Sequence, residues 1–258
     1  MDKNTQYWIN RIERVMRDVH NSQEDRNIVL LQGYSNALKD VKKELYQLYE
    51  KMNSSSVSLS ESYKYNRLKI VQKQIQNIIK ELGNKEQKFF DTNLEKNYIQ
   101  ASEQVGRELE TKLNIKFNEV DRKTIDKALT YPWSGADYSN RIWKNKDKLI
   151  EQLNQTLIRG LVQGTKATTV AKEISKKMNV GAYEALRLVR TENAHMVNSA
   201  TIDRYRESGV VEKVIWIAGN KPCPKCEILD REVFLLDKVP MLPQHPNCKC
   251  CIAPHFKK

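Results

Sequence analysis

Leu31, Tyr34, Leu38, Val41, Leu45 and Leu48 recur at intervals of 3, 4, 3, 4 and 3 residues. That spacing lays one apolar stripe along a helix and excludes a half-buried strand, which repeats every second residue. Upstream, Trp8, Ile12, Val15 and Val19 follow at 4, 3 and 4. Downstream, Leu68, Val71, Ile75, Ile78 and Leu82 carry the same rhythm. The serine-rich run Asn53–Ser60 breaks the pattern between them. Gly83-Asn84 reads as a C-terminal stop for the second helix. The simplest geometry is a long N-terminal helical hairpin or bundle whose stripes face each other. A docking surface for a partner's helices would leave the same pattern. The internal pair is preferred because each stripe needs a cover and a neighbour is close at hand.

Residues 85–128 continue as polar helix with Val105, Leu109 and Leu113 as anchors. Tyr131-Pro132-Trp133-Ser134-Gly135-Ala136-Asp137 then breaks the pattern. Its two large aromatics predict a packed loop. A boundary near 120–135 divides the chain into a helical region, 1–125, and a second domain, 126–258. From Arg141 the helices resume, with Leu149, Leu153, Leu157 and Leu161 on one stripe that closes at Gly164. A short helix is expected from an N-cap at Thr168 to about Met178, and another from Gly181 to about Ser208. Val211–Ala218 is β-branched and aromatic and is bounded by Gly209 and Gly219, which predicts a strand. Glu232–Val239 is a second strand candidate. The expected fold class is mostly α with a small C-terminal α+β module.

All five cysteines fall in the last 36 residues. Cys223-Pro224-Lys225-Cys226 offers two thiolates from one tight turn, within reach of a single tetrahedral ion. After 18 intervening residues, His245-Pro246-Asn247-Cys248-Lys249-Cys250-Cys251 supplies further donors. Zinc suits thiolate and imidazole ligands best, in a closed and therefore structural site. Cys223 and Cys226 are the firmest ligands. His245, Cys248 and Cys250 compete for the other two places, and Cys251 ranks last. A redox pair and structural disulfides are the competing readings. A redox C-x2-C normally opens a helix, whereas this one sits between strand-like segments. Disulfides fit poorly with a Lys-rich chain that shows no secretory leader.

Composition narrows the classes further. Lys and Arg total 44 against 32 Asp and Glu, a formal charge of +12, spread over the successive blocks 1–50, 51–100, 101–150, 151–200 and 201–258 as 0, +4, +2, +3 and +3. The longest dense apolar run, Val214–Ala218, is five residues, far short of the roughly 18 that cross a membrane. These features argue against a membrane protein, a secreted disulfide scaffold and a collagen-like fibre, and predict a soluble, intracellular, basic protein. A diffuse positive field favours DNA, RNA or an acidic protein surface, although Lys-rich solvated helices give the same count.

A polar cluster lies at Arg190, Thr191, Glu192, His195 and Asn198. On a helix Thr191, His195 and Asn198 share one face, flanked by Arg190 and Glu192. Such a face binds a phosphate, performs acid–base work or, more often, is solvated or interfacial. It can also pack on the zinc module, with His195 or Arg190 bonding backbone carbonyls. No metalloprotease, deaminase, hydrolase or Gly-rich phosphate motif is present in the sequence, so no catalytic residue is assigned.

The second half resembles a known family. Leu188-Val189-Arg190-Thr191-Glu192-Asn193-Ala194, the strand around Trp216, Cys223-Pro224-Lys225-Cys226 and His245-Pro246-Asn247-Cys248-Lys249-Cys250 occur in the order of the phage head morphogenesis domain. That family is also called the Mu F-like minor capsid proteins. Trp133-Ser134-Gly135, Gly160-Leu161 and Gly164 also sit where the family has them, so the resemblance covers about 125–254. It departs at Lys249, where the family usually has Arg, and in the extra Cys251. The resemblance implies a minor head protein of a tailed phage or prophage, present in few copies, with a metal held by the Cys/His pattern. Its implied partners are the portal protein and other capsid or scaffolding components, with double-stranded DNA a further contact and no membrane. Its implied place is the virion, at the capsid interior or portal vertex, after assembly in the host cytoplasm. Some relatives carry a toxin domain after this module; the chain runs eight residues past Cys250, which predicts none here. Two other classes compete: a zinc-dependent nucleic-acid-binding protein, and a nuclease or transferase using Arg190, Glu192 and His195.

Overall fold

The computed structural model describes residues 2–53 and 61–256. The serine-rich break expected at Asn53–Ser60 therefore falls, from residue 54, outside the described residues. Five long or medium helices come first: α1 (Lys3–Asn53), α2 (Glu61–Leu113), α3 (Arg122–Thr130), α4 (Tyr138–Val162) and α5 (Ala167–Glu207). A small sheet follows, β1 (Lys213–Ile217), β2 (Val233–Leu235) and β3 (Cys251–Pro254), with a short helix α6 (Pro224–Leu229) between its first two strands. The chain is mostly helical, 75% by residue, as the stripes predict.

Two compact units contain these elements. The first comprises Met1–Arg26, Phe90–Gly135 and Arg187–Lys258; the second comprises Asn27–Phe89 and Ala136–Leu186.

In the first unit α1 and α2 run antiparallel. Arg14 meets Glu108 at 2.8 Å, and Gln23 and Arg26 both bond Asn97. The core takes Trp8, Ile12, Val15 and Val19 from α1, and Leu94, Tyr98, Val105 and Leu109 from α2. Val189, Val197 and Tyr205 of α5 close it. The sheet has the order β2-β1-β3, antiparallel throughout, with Trp216 opposite Ile252 and Val214 opposite Phe234. The Tyr205 hydroxyl donates to the Ile252 carbonyl at 3.0 Å, fastening β3 to α5.

The second unit packs α1, α2, α4 and α5 segments around Tyr34, Val41, Leu45, Ile75, Leu153, Leu157 and Ile174. Here the facing residues differ slightly from the expected stripes. Leu30 and Ala37 are buried, while Leu31 is 40% exposed; Ile79 rather than Ile78 faces the core. One buried ion pair lies inside: Lys146 Nζ is 2.6 Å from Glu86 Oε2, and the Tyr34 hydroxyl donates to the same carboxylate at 2.9 Å.

Three expected boundaries are corrected. Gly83 does not stop α2. It is placed for close packing, since a Cβ there would lie 2.9 Å from the Trp143 ring. The two helices expected across 168–208 are one, because Gly181 stays helical and lets Leu149 and Tyr34 approach. The strand at Glu232–Val239 shrinks to Val233–Leu235 before a 3-10 turn, Leu236–Lys238. Two further expectations also move: Thr168 lies inside α5 rather than capping it, and the helix expected across 85–128 is interrupted at 114–121, between α2 and α3. The break at Tyr131–Asp137 and the stop at Gly164 fall as read. Asp137 caps α4 by accepting the Asn140 N–H at 2.7 Å, and Gly164, at φ +62°, follows its end.

Candidate metal centre

The first knuckle is built at a helix start. Cys223 is the N-cap of α6 and Pro224 its first residue, where a missing N–H costs nothing. The N–H groups of Cys226 and Glu227 both donate to the Cys223 carbonyl at 2.9 Å, curling the chain so both sulfurs point the same way. This C-x2-C therefore does open a helix, although one of only six residues and set between β1 and β2. The expected contrast with redox pairs does not hold on that point.

The second knuckle is a turn at 245–248. Cys248 N–H donates to the His245 carbonyl at 3.1 Å, and Asn247 adopts φ +61°, a left-handed conformation that Asn tolerates better than most residues. The two knuckles meet through one sulfur. Cys226 Sγ lies 3.4 Å from His245 Nε2 and 3.8 Å from Cys248 Sγ. Cys223, Cys226 and His245 form one group of converging donors, and Cys226, Cys248 and Cys250 form another, each with all ligand atoms within 4.8 Å. A tetrahedral zinc with bonds of about 2.3 Å to sulfur and about 2.0 Å to nitrogen has ligand-to-ligand edges of roughly 3.5–3.8 Å. The distances at Cys226 fit that figure.

His245 is oriented for ligation. Its Nδ1–H donates to the Pro246 carbonyl at 3.0 Å, which leaves the Nε2 lone pair facing Cys226. Metal-binding histidines are ordinarily fixed in this way. Gly219 donates its N–H to Cys250 Sγ at 3.5 Å, and a Cβ on Gly219 would come within 3.1 Å of Lys249. Cys251, at the start of β3, is buried apart from both groups of converging donors.

Electrostatics show how crowded the thiols are. Hydrogen bonds from Cys250 hold Cys248 down at about 5, while burial pushes Cys226 up to about 12. Cys250 is raised well above the usual thiol range by its bond to Cys248 and by burial. So many sulfurs this close cannot all ionise unless a cation is shared among them.

Of the polar cluster on α5, Thr191, Glu192, His195 and Asn198 are buried, and Thr191, His195 and Asn198 bond this module, while Arg190 is half-buried. The Asn247 N–H donates to Thr191 Oγ1 at 3.1 Å, while the Thr191 hydroxyl donates to the Arg187 carbonyl at 2.6 Å. His195 Nδ1–H donates to the Leu242 carbonyl at 3.3 Å, and Asn198 Nδ2 donates to the Cys250 carbonyl at 3.2 Å. Glu192 accepts Trp133 Nε1–H at 2.8 Å, and the Trp133 ring stacks on His195 at 4.8 Å and 15°. Arg190 makes a two-pronged pair with Glu24 of α1, at 2.6 and 2.7 Å. The sequence singled out these α5 residues. It did not identify Trp133, Leu242, Asn247, Cys250 or Glu24 as their partners: backbone carbonyls and N–H groups leave no signal in a side-chain pattern, and Trp133 and Glu24 lie far off in sequence.

Residues 151–253 match the family model described as Phage Mu protein F like protein. This part of the chain is similar to the Mu F-like family. The match contains α5, the sheet as far as Ala253 and all the converging donors, and over 151–253 it bears out the resemblance read from the motifs; Trp133-Ser134-Gly135 lies outside it. The family is one of phage head morphogenesis, with a structural rather than an enzymatic role. The chain is also 28% identical, over 203 residues, to NAD(+)–arginine ADP-ribosyltransferase EFV of Enterococcus faecalis. That match covers 77% of the chain but spans only 41% of the length of this curated relative. No solved structure matches the chain. Among the described residues, no helix is long and apolar enough to cross a membrane.

Proposed function

We propose that the chain is a minor head component of a tailed phage or prophage whose Mu F-like part is closed by one structural zinc. The observation that carries this reading is the meeting of both knuckles at Cys226, inside the family match. Cys223 and Cys226 hold the ion with two of His245, Cys248 and Cys250. Bound there, zinc would supply a covalent-strength tie between two loops and no chemistry. In this reading 126–258 is the head morphogenesis domain, and helices within 1–125 dock on the portal or neighbouring capsid and scaffolding proteins. The +12 charge favours contact with an acidic portal surface or with packaged double-stranded DNA. The protein then resides at the portal vertex or capsid interior, after assembly in the host cytoplasm.

An enzymatic role for Arg190, Glu192 and His195 has weaker support. Each is bonded to a protein partner, and the transferase name belongs to a relative that extends well beyond the match. The test of the main reading is mass spectrometry of purified heads from a phage encoding this chain. A few copies per head, lost when the portal gene is deleted, are expected; absence from heads refutes it. The competing nucleic-acid-binding reading requires free protein to bind duplex DNA with affinity falling steeply in salt.

A further inference from the structure

We infer that Thr191, His195 and Asn198 form a clamp that sets the second knuckle in its metal-binding shape, which makes them positioning residues. The inference rests on the zinc reading above. A loop offering His245, Cys248 and Cys250 at spacings of three and two has many conformations, and few of them bring the donors together. One face of α5 removes that freedom. From successive turns it bonds the Leu242 carbonyl, the Asn247 N–H and the Cys250 carbonyl. These three backbone groups bracket every donor of the second knuckle. The middle bond holds Asn247 at φ +61°, the bend that brings Cys248 back toward Cys226.

The clamp is itself held from behind. His195 is fixed by the Trp133 ring, and Trp133 is fixed by Glu192. Arg190 ties the same helix to Glu24, and Asn193 ties it to His20, both on α1. The consecutive residues Arg190, Thr191 and Glu192 thus point to three different partners: α1, the knuckle and the Trp133 loop. This accounts for a conspicuous polar run inside a buried helix without any substrate.

The test is a competition titration of the full chain against a chromophoric zinc chelator. Thr191→Val keeps the shape and removes the acceptor; Thr191→Ser keeps it. Outer-shell partners of metal ligands are typically worth about 10–100-fold in affinity, so Thr191→Val and Asn198→Leu are each expected to weaken zinc by at least about 10-fold. Thr191→Ser is expected to restore near-wild-type affinity. A merely structural contact would lower the melting temperatures of metal-free and zinc-bound protein alike and leave affinity unchanged, because affinity moves only with the difference between the two. That result overturns the clamp even if zinc binds the wild type at one per chain. Wild type that takes up no zinc overturns the metal reading, and the clamp with it. Asn198→Leu reads the far end of the loop independently should Thr191→Val fail to fold.

Discussion

The Cys226 and Cys248 sulfurs lie 3.8 Å apart although they stand 22 positions apart in the chain. Hydrogen bonds from Cys250 hold Cys248 down at about 5, while burial raises Cys226 to about 12, so the bare protein ionises these neighbouring thiols unevenly. A bound dication would favour the thiolate form of every cysteine it ligates. The protein purified without chelator is therefore expected to hold about one zinc per chain. Cys226→Ser should lose it, because that sulfur belongs to both groups of donors. Cys251→Ser should retain it. Structural zinc contributes about 10–16 kcal/mol in small domains, so strong chelation should expose the C-terminal module to protease while far-UV dichroism still reports long helices. Unchanged protease resistance after chelation, or zinc retained in Cys226→Ser, refutes the assignment.

The ion pair of Lys146 and Glu86 makes a separate prediction for the second unit. Both side chains are essentially inaccessible, at 1% and 0% exposure. A buried pair adds little net stability over apolar residues, yet removing one partner strands the other charge at a cost of about 3–5 kcal/mol. Lys146→Met should therefore unfold at much lower urea. Lys146→Met combined with Glu86→Gln should recover most of the loss, since the amide still accepts the Tyr34 hydroxyl. Additive losses in the double variant would mean the two charges are not coupled.

Period and punctuation made much of the fold legible. The helices, the loop at Tyr131–Asp137, the strand around Trp216 and the convergence of Cys223, Cys226, His245, Cys248 and Cys250 all follow from spacing. The sequence misleads where a residue type has two uses. Gly83 and Gly181 look like helix ends, but here they are contact points for Trp143 and for Leu149 with Tyr34. β3 was not read because Cys251–Pro254 has no alternation: all four residues are buried and stand beside β1. The α5 stripe was visible as a polar face. Packing on the Cys/His module through His195 and a backbone carbonyl was also legible, and His195 does bond the Leu242 carbonyl, whereas Arg190 pairs with Glu24. The particular loop atoms were not legible, because carbonyls and N–H groups about fifty residues away leave no side-chain pattern.

Gly83 gives the sign of a conflict between propensity and packing. Ala is favoured over Gly in a helix interior by about 1 kcal/mol. At this position the added methyl would sit 2.9 Å from Trp143 Cζ3 and 3.2 Å from Lys146 Cγ. Overpacking of that kind costs typically about 1–3 kcal/mol, and Lys146 has little room to move without disturbing Glu86. Gly83→Ala should therefore lower the melting temperature. Gly33→Ala, in the same unit, meets only Leu82 at an ordinary 3.5 Å and should raise it. A higher melting temperature for Gly83→Ala would show that the Trp143 ring shifts freely.

His20 predicts how stability depends on pH. Its Nδ1 accepts the Asn193 side-chain N–H at 3.1 Å, which requires the neutral ring. Burial, helped by the ammonium of Lys249 and opposed by Glu24, holds its pKa down at about 4. In the unfolded chain a histidine titrates near about 6.5. Between those values the unfolded chain binds more protons than the folded one, so stability is full above the unfolded pKa and falls as the solution is acidified through the window. For a shift of this size the loss between pH 7 and pH 5 is about 2 kcal/mol. Urea unfolding at both pH values should show that loss in the wild type and a smaller one in His20→Gln, which cannot ionise. The comparison isolates His20, because acid weakening at the cysteines and His245 is common to both proteins. An identical pH dependence would mean that folded His20 takes up its proton as readily as the unfolded chain does, and that the Asn193 bond does not hold it neutral.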